Sequence, residues 1–233
     1  MISEKLINRI RKENIDLHTS HQKMRYRKIT SNAFTIDKFR ETFSSFIIHC
    51  KKENYPFSFH LSEHGDKSMP TIQISTTQIP TGAYKIISKK DDNGLPYKAR
   101  DPIIEEGGAI VATFFLDGRV SVFIYPRRSS VMRPAEDQLV IVNAADPREI
   151  TDKLIESSLK KLLFYIRATT YITDGHTFSL KDRIRLSILR FNDVRFKYKL
   201  INSIRTMNNE WGKILFAAFI AWAITYISTS GPK

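Results

Sequence analysis

Hydrophobic positions follow a helical period at both ends of the chain and a strand period in the middle. Ile2, Leu6, Ile7, Ile10 and Ile15 fall on one side of a helix, which predicts helix over 3–20. A polar, basic stretch, Lys23–Lys28, interrupts the pattern. Phe39, Phe43, Phe46 and Ile47 then predict a second helix over 35–52, with Thr35 as its cap and Pro56 beyond its end.

From Phe57 the period shortens to two. Residues 57–61 and 71–75 alternate, and 83–88 is a third strand candidate. Asn93-Gly94 marks a turn in the loop 89–96. The clearest strand pair is 109–116 with 120–125, joined by Asp117-Gly118, a type I′ hairpin signal. Both strands are apolar on both faces, which predicts a central position covered from two sides. Residues 139–142 form one more short strand.

The helical period returns at Asp146-Pro147-Arg148-Glu149, which reads as a capped helix start. Ile150, Leu154, Ile155, Leu159, Leu162, Leu163 and Ile166 continue as one stripe, giving a helix over 147–168. Ser179, with Asp182 three residues on, caps a further helix expected over 179–209. The pattern amounts to an α+β fold: N-terminal helices, a central, mostly antiparallel sheet, and C-terminal helices ending in one short transmembrane helix. The expected divisions are a basic helical segment 1–56, an α+β core 57–178, a basic juxtamembrane helix 179–212 and a transmembrane tail 213–230.

The tail rests on composition. Ile214–Ile227 is apolar all round, and seventeen uncharged residues run from 214 to 230. As a helix these span about 25 Å, the lower limit for a bilayer core of about 30 Å. Trp211 and Tyr226 stand near its two ends, where amphipathic rings suit the interfaces. Residues 181–213 hold nine Lys/Arg against three Asp/Glu, whereas Lys233 alone follows the run. Positive charge belongs on the cytoplasmic side, which orients residues 1–213 inward. Met1–Asn14 holds six charged residues and no apolar signal core, in keeping with a cytosolic N-terminal domain at the inner or another cytosol-facing membrane. Ala217, Ala221 and Thr225 recur every fourth position, a ridge that lets membrane helices assemble into a homo-oligomer. The competing expectation is a tail buried in protein.

Net charge is +13, carried by the ends: 12 Lys/Arg against 6 Asp/Glu over 1–56, 11 against 12 over 57–150, and 14 against 6 over 151–233. Such asymmetry suits an anionic membrane face or nucleic acid. Arg183, Arg185, Arg190, Arg195, Lys197 and Lys199, interleaved with aromatic residues, serve either purpose. Arg127, Arg128 and Arg133, with Ser129 and Ser130, make a basic loop suited to phosphate.

Catalytic signals are thin. His60-Leu61-Ser62-Glu63-His64 matches the H-x-x-E-H pattern, but zinc chemistry needs both histidines one helical turn apart and these lie in a strand. His18 and His21 lack companion ligands. Glu105 and Glu106, beside Gly107-Gly108 and near Asp101, are the densest acidic spot and are expected in a solvated loop. No phosphate-binding glycine motif occurs, no cofactor is implied, and the lone Cys50 precludes an internal disulfide. The expected function is a membrane-anchored, cytosol-facing binding or sensor protein that oligomerises, extending to a membrane-acting effector of antiviral defence. The alternatives are a nucleic-acid-binding protein with a buried tail, and a hydrolase or metal-dependent enzyme using Glu105, Glu106 or His60/His64.

Overall fold

No glycine or proline occurs before Pro56, so nothing local stops a helix in the first 55 residues. In the computed structural model, which describes residues 3–66, 69–90, 94–131, 134, 136–172, 178–193 and 195, this stretch is almost wholly helical. Helix α1 runs Glu4–Thr30, passes through one π-helical segment, Ser31–Thr35, and continues as α2, Ile36–Lys52. The basic stretch Lys23–Lys28 therefore lies within α1, and Thr35 makes no side-chain cap. Helix α2 ends in a left-handed residue, Asn54 (φ 52°), with Tyr55 N–H donating to the Cys50 carbonyl at 2.9 Å, which satisfies two of its last carbonyls together with the Asn54 bond to Lys51.

Six strands follow: β1 Phe59–His64, β2 Thr71–Thr76, β3 Ile79–Lys90, β4 Pro96–Phe114, β5 Val120–Arg128 and β6 Leu139–Ala145. All pairings are antiparallel, in the order β1-β2-β4-β5-β6, with β3 also on β4. Strands β2 and β3 are successive stretches of one path along β4, since Ser75↔Ala109 and Ile79↔Glu105 keep one register. The far part of the β3–β4 pair, Tyr84–Lys90 with Pro96–Pro102, extends as an exposed arm.

The tight turn at Asp117-Gly118 is present, but as a different type. Among its residues only Gly118 has positive φ (81°), whereas a type I′ turn needs two. Phe115 N–H donates to Arg119 O and Gly118 N–H to Phe115 O, both at 2.9 Å, the pattern of a three-residue loop with glycine in the bulge. A side chain at Gly118 would strike the α1 backbone at Arg27–Lys28, so glycine lets the hairpin tip lie against α1.

Two further helices complete the chain described. Asp146 caps only a short 3-10 turn, Pro147–Glu149, because Ile150 leaves helical geometry to enter the core. The true cap of α3, Asp152–Thr169, is Thr151, whose hydroxyl accepts from Leu154 N–H. Helix α4, Leu180–Phe191, has the capping box expected from Ser179 and Asp182. It is capped at Asn192, for a reason given below, and the remainder of the expected helix, 196–209, lies outside the described residues.

Helices α2 and α3 cover one face of the sheet. Phe39 and Phe43 pack edge-on to each other, and Phe39 to Phe114, above Ile72, Ile74, Ile110 and Ile124; Ile155, Leu162, Tyr165 and Ile166 come from α3. Strands β4 and β5 occupy the interior positions expected of them. The fold is α+β with a central antiparallel sheet. No helix among the described residues is long and apolar enough to cross a membrane, and 214–230 lies outside them.

Candidate functional site

Successive residues of a strand point to opposite faces. That rule divides the acidic and basic clusters in two. Glu105 and Arg127 turn toward the helices, whereas Glu106 and Arg128, paired in register, turn away. Neither carboxylate sits in a loop; both are within β4.

The inner pair is closed to solvent. Arg127 is 0% and Glu105 2% exposed, and Arg127 Nε donates to Glu105 Oε2 at 2.9 Å. The guanidinium also donates to the Thr76 hydroxyl, to Thr77 O at 3.4 Å and to Glu105 O at 3.1 Å, and lies 4.5 Å from the centre of the Phe57 ring. Glu105 accepts further from Thr170 Oγ1 and Tyr171 N–H, both at 2.7 Å. Thr169 accepts from Arg127 N–H at 3.1 Å. The cluster ties β2, β4 and β5 to the end of α3. Gly108 (φ 72°) makes room for it, since a Cβ there would sit 2.8 Å from Arg127 Cγ. Arg127 thus corrects the phosphate reading at that position: its donors are spent on the protein. Glu105 is equally committed and cannot meet a substrate.

The outer pair is open. Arg128 Nε stands 3.9 Å from Glu106 Oε1, and Gln78 Nε2 donates to Glu106 Oε2 at 3.3 Å. This face is in part buried, as expected of central strands, with Ala109 and Val111 6% and 8% exposed, though Glu106 and Arg128 stay more than half exposed. It holds a depression of about 510 Å³ floored by Ala109, Val111 and Tyr125, with His60 on one side and Arg128 and Asp137 on the other. A hollow of about 520 Å³ adjoins it beside Ser129, Ser130 and Glu136. Arg128 and Ser130 thus remain at the surface, while Ser129 is buried and its hydroxyl accepts from Val131 N–H.

His60 and His64 extend along β1 and form no metal site with Glu63, which corrects the weak metal reading of all three. In a strand Glu63 points opposite to both histidines. Its carboxylate takes Arg40 Nε at 2.6 Å and a second guanidinium nitrogen at 3.0 Å, a bidentate pair that holds the carboxyl below its usual range. His60 Nε2 is hydrogen-bonded to Ser75 Oγ at 2.8 Å. No cluster of metal-binding side chains occurs among the described residues.

The basic stretch near the C-terminus divides as well. Arg190 Nε donates to Glu136 at 2.6 Å, and Glu136 also accepts from the Tyr165 hydroxyl at 2.7 Å; burial first, and this carboxylate second, push Tyr165 well above a normal phenol. Arg195 pairs with Asp193 at 2.9 Å, and Asp193 in turn accepts from Val140 N–H at 3.0 Å. Asp193, buried and outside helical geometry, thus interrupts the helix after Asn192. Both arginines are therefore engaged within the domain. Arg183 and Arg185 stay exposed, Arg185 lying 4.5 Å over the Phe164 ring. Arg133, Lys197, Lys199, Ala217, Ala221 and Thr225 lie outside the described residues.

One feature of α4 escaped the sequence reading. Leu180, Ile184, Ile188 and Phe191 are 74%, 61%, 54% and 46% exposed. Their spacing places them on one side of the helix, opposite the face that buries Leu189. The signal was present as a second i, i+4 series, masked by the more familiar core stripe. The chain matches no family model, no curated protein and no solved structure.

Proposed function

We propose that the chain is a membrane-anchored, non-enzymatic binding protein whose α+β domain faces the cytosol. The apolar ridge of α4 carries this reading. Four large exposed apolar residues on the helix that leads toward the uncharged run 214–230 are costly in water. Laid at the headgroup boundary they are buried, and Lys181 and Arg183 beside them meet anionic lipid at about 1 kcal/mol each. The run itself supplies the anchor.

Oligomerisation is supported by α1. It is 27 residues long, about 40 Å, with no buried residue and with Leu6, Ile10 and Leu17 half or more exposed. An isolated helix gains little stability from propensity alone, so pairing with a second copy gives this one its support. The Ala217, Ala221 and Thr225 ridge adds a contact within the bilayer.

Carbonate extraction of membranes from cells expressing the full chain tests the anchor. Retention in the pellet is expected, and recovery in the soluble fraction without detergent overturns the reading. A second reading, nucleic-acid binding, draws on the β3–β4 arm, where exposed Tyr84 and Tyr97 alternate with Lys85, Lys89, Lys98 and Arg100. Salt-sensitive binding of single-stranded RNA, lost on Lys85→Glu with Arg100→Glu, would favour it.

A further inference from the structure

The crevice between the turn after α2 and the outer side of α3 has a composition of its own. It holds about 470 Å³, within the usual range of small-ligand sites. Phe57 and Phe164 form its floor, 5% and 6% exposed, and Tyr55 and Leu163 its walls. Ile172, 60% exposed, stands on its lip. Its charged lining is entirely cationic: Lys160, Arg167 and Arg185.

The walls are fixed in advance. Phe57 is backed by the Arg127 guanidinium, and Thr170, also in the lining, is bonded to Glu105, so the buried pair sets the back of the crevice. Tyr55 stacks on Phe59 with 22° between the rings, and Phe164 on Phe178 with 23°. Arg167 is bridged to Asp182 at 2.6 Å, and Lys160 reaches Glu156 only at 4.0 Å with both side chains well exposed. Arg185 has no carboxylate partner among the described residues and rests on Phe164. A preformed apolar slot under a cationic rim is complementary to a ligand with an apolar body and one terminal anion.

We propose that this crevice binds a single-chain lipid anion, the chain lying between Tyr55, Leu163 and Phe164 and the anionic end meeting Arg185 and Lys160. An uncharged chain gains the apolar contacts but not the rim, and a small anion gains only screened contacts at exposed cations. Binding therefore needs both parts. The site does not depend on the anchor, and the two readings fail separately, since labelling of the crevice can be read in membranes or in solution.

The test uses the full chain and a long-chain fatty acid carrying a photoreactive diazirine, with the labelled peptides identified by mass spectrometry. Label is expected within 55–57 and 160–167, suppressed by oleate but not by oleyl alcohol or acetate. Lys160→Gln with Arg185→Gln should lower labelling about fivefold with unchanged thermal unfolding, because both side chains are exposed. Leu163→Trp, which fills the slot, should abolish it. Equal suppression by oleyl alcohol, or undiminished labelling of the Leu163→Trp chain, overturns the proposal.

Discussion

Two carboxylate–guanidinium pairs stand side by side across β4 and β5, made of the same residue types at adjacent positions. Glu105–Arg127 is buried under the helices, and Glu106–Arg128 faces out from the opposite side of the sheet. The inner pair has a nearly complete set of hydrogen bonds; the outer is a loose contact at 3.9 Å. The lesson is that a single step along a strand moves the same pair of residue types from the solvent to the core. The inner pair holds the domain together, and only the outer remains for a ligand.

Breaking the inner pair should give the largest effect. Arg127→Met leaves the Glu105 carboxylate buried without its cation, a change that costs about 3–5 kcal/mol. Urea unfolding monitored by circular dichroism reads it. A loss below about 1 kcal/mol would mean that the pair is not what ties α3 to the sheet. Replacing Glu105 by Gln at the same time should recover part of the loss, since the uncompensated charge is the main penalty.

Next in size is the close approach of two backbones beside the pair. Gly107 (φ 87°) lies so near the Pro126 carbonyl oxygen that a Cβ would collide with it, and the collision is with backbone, which cannot swing away. Gly107→Ala should destabilise by about 1–3 kcal/mol, read in the same unfolding experiment. An alanine tolerated without loss would show that the β4–β5 pairing can shift at this point.

Asp193 extends the comparison to the end of α4. Burial alone would raise its carboxyl, but bonds from Arg195 and the Val140 N–H outweigh it and leave it below the ordinary value of 3.8. Because the folded-state value is the lower one, its contribution is complete above the unfolded value and fades as pH falls through the folded one. Asp193→Asn should cost about 1.5–3 kcal/mol at neutral pH. The gap between the two proteins should narrow in acid, below the ordinary carboxylate range. A gap independent of pH would exclude the charged form as the source.

These cases mark where the sequence could be read and where it could not. The helical stripe of α2, the Ser179–Asp182 cap and the central place of β4 and β5 rest on periods and short spacings, which are local. Burial of Arg127 is not local. It depends on Phe57, Thr76, Glu105 and Thr170, spread over the 113 positions from 57 to 170 and brought together by register. A basic loop and a buried cation look alike until the face is known. The end of α4 escaped for the same reason, since Asp193 reaches Val140 across 53 positions. In α1 the basic stretch Lys23–Lys28 breaks the hydrophobic period but not the helix, since it holds no helix-breaking residue.

The smallest effect belongs to the outer pair, and its smallness is what sharpens the contrast. Arg128 and Glu106 are each more than half exposed, so their attraction is screened by water and offset by the ordering of two long side chains. Arg128→Gln should change stability by less than about 1 kcal/mol in the assay that registers Arg127→Met as severe. If Arg128→Gln proved as damaging as its neighbour, the outer face would have to be covered, by residues beyond those described or by a second copy. Hydrogen exchange at Ala109 to Val111 would separate these cases. Protection that rises with protein concentration means a second copy; protection independent of it means cover from the same chain. A neutral Arg128→Gln with no added protection leaves the groove beside Tyr125 open to solvent, as a ligand would need.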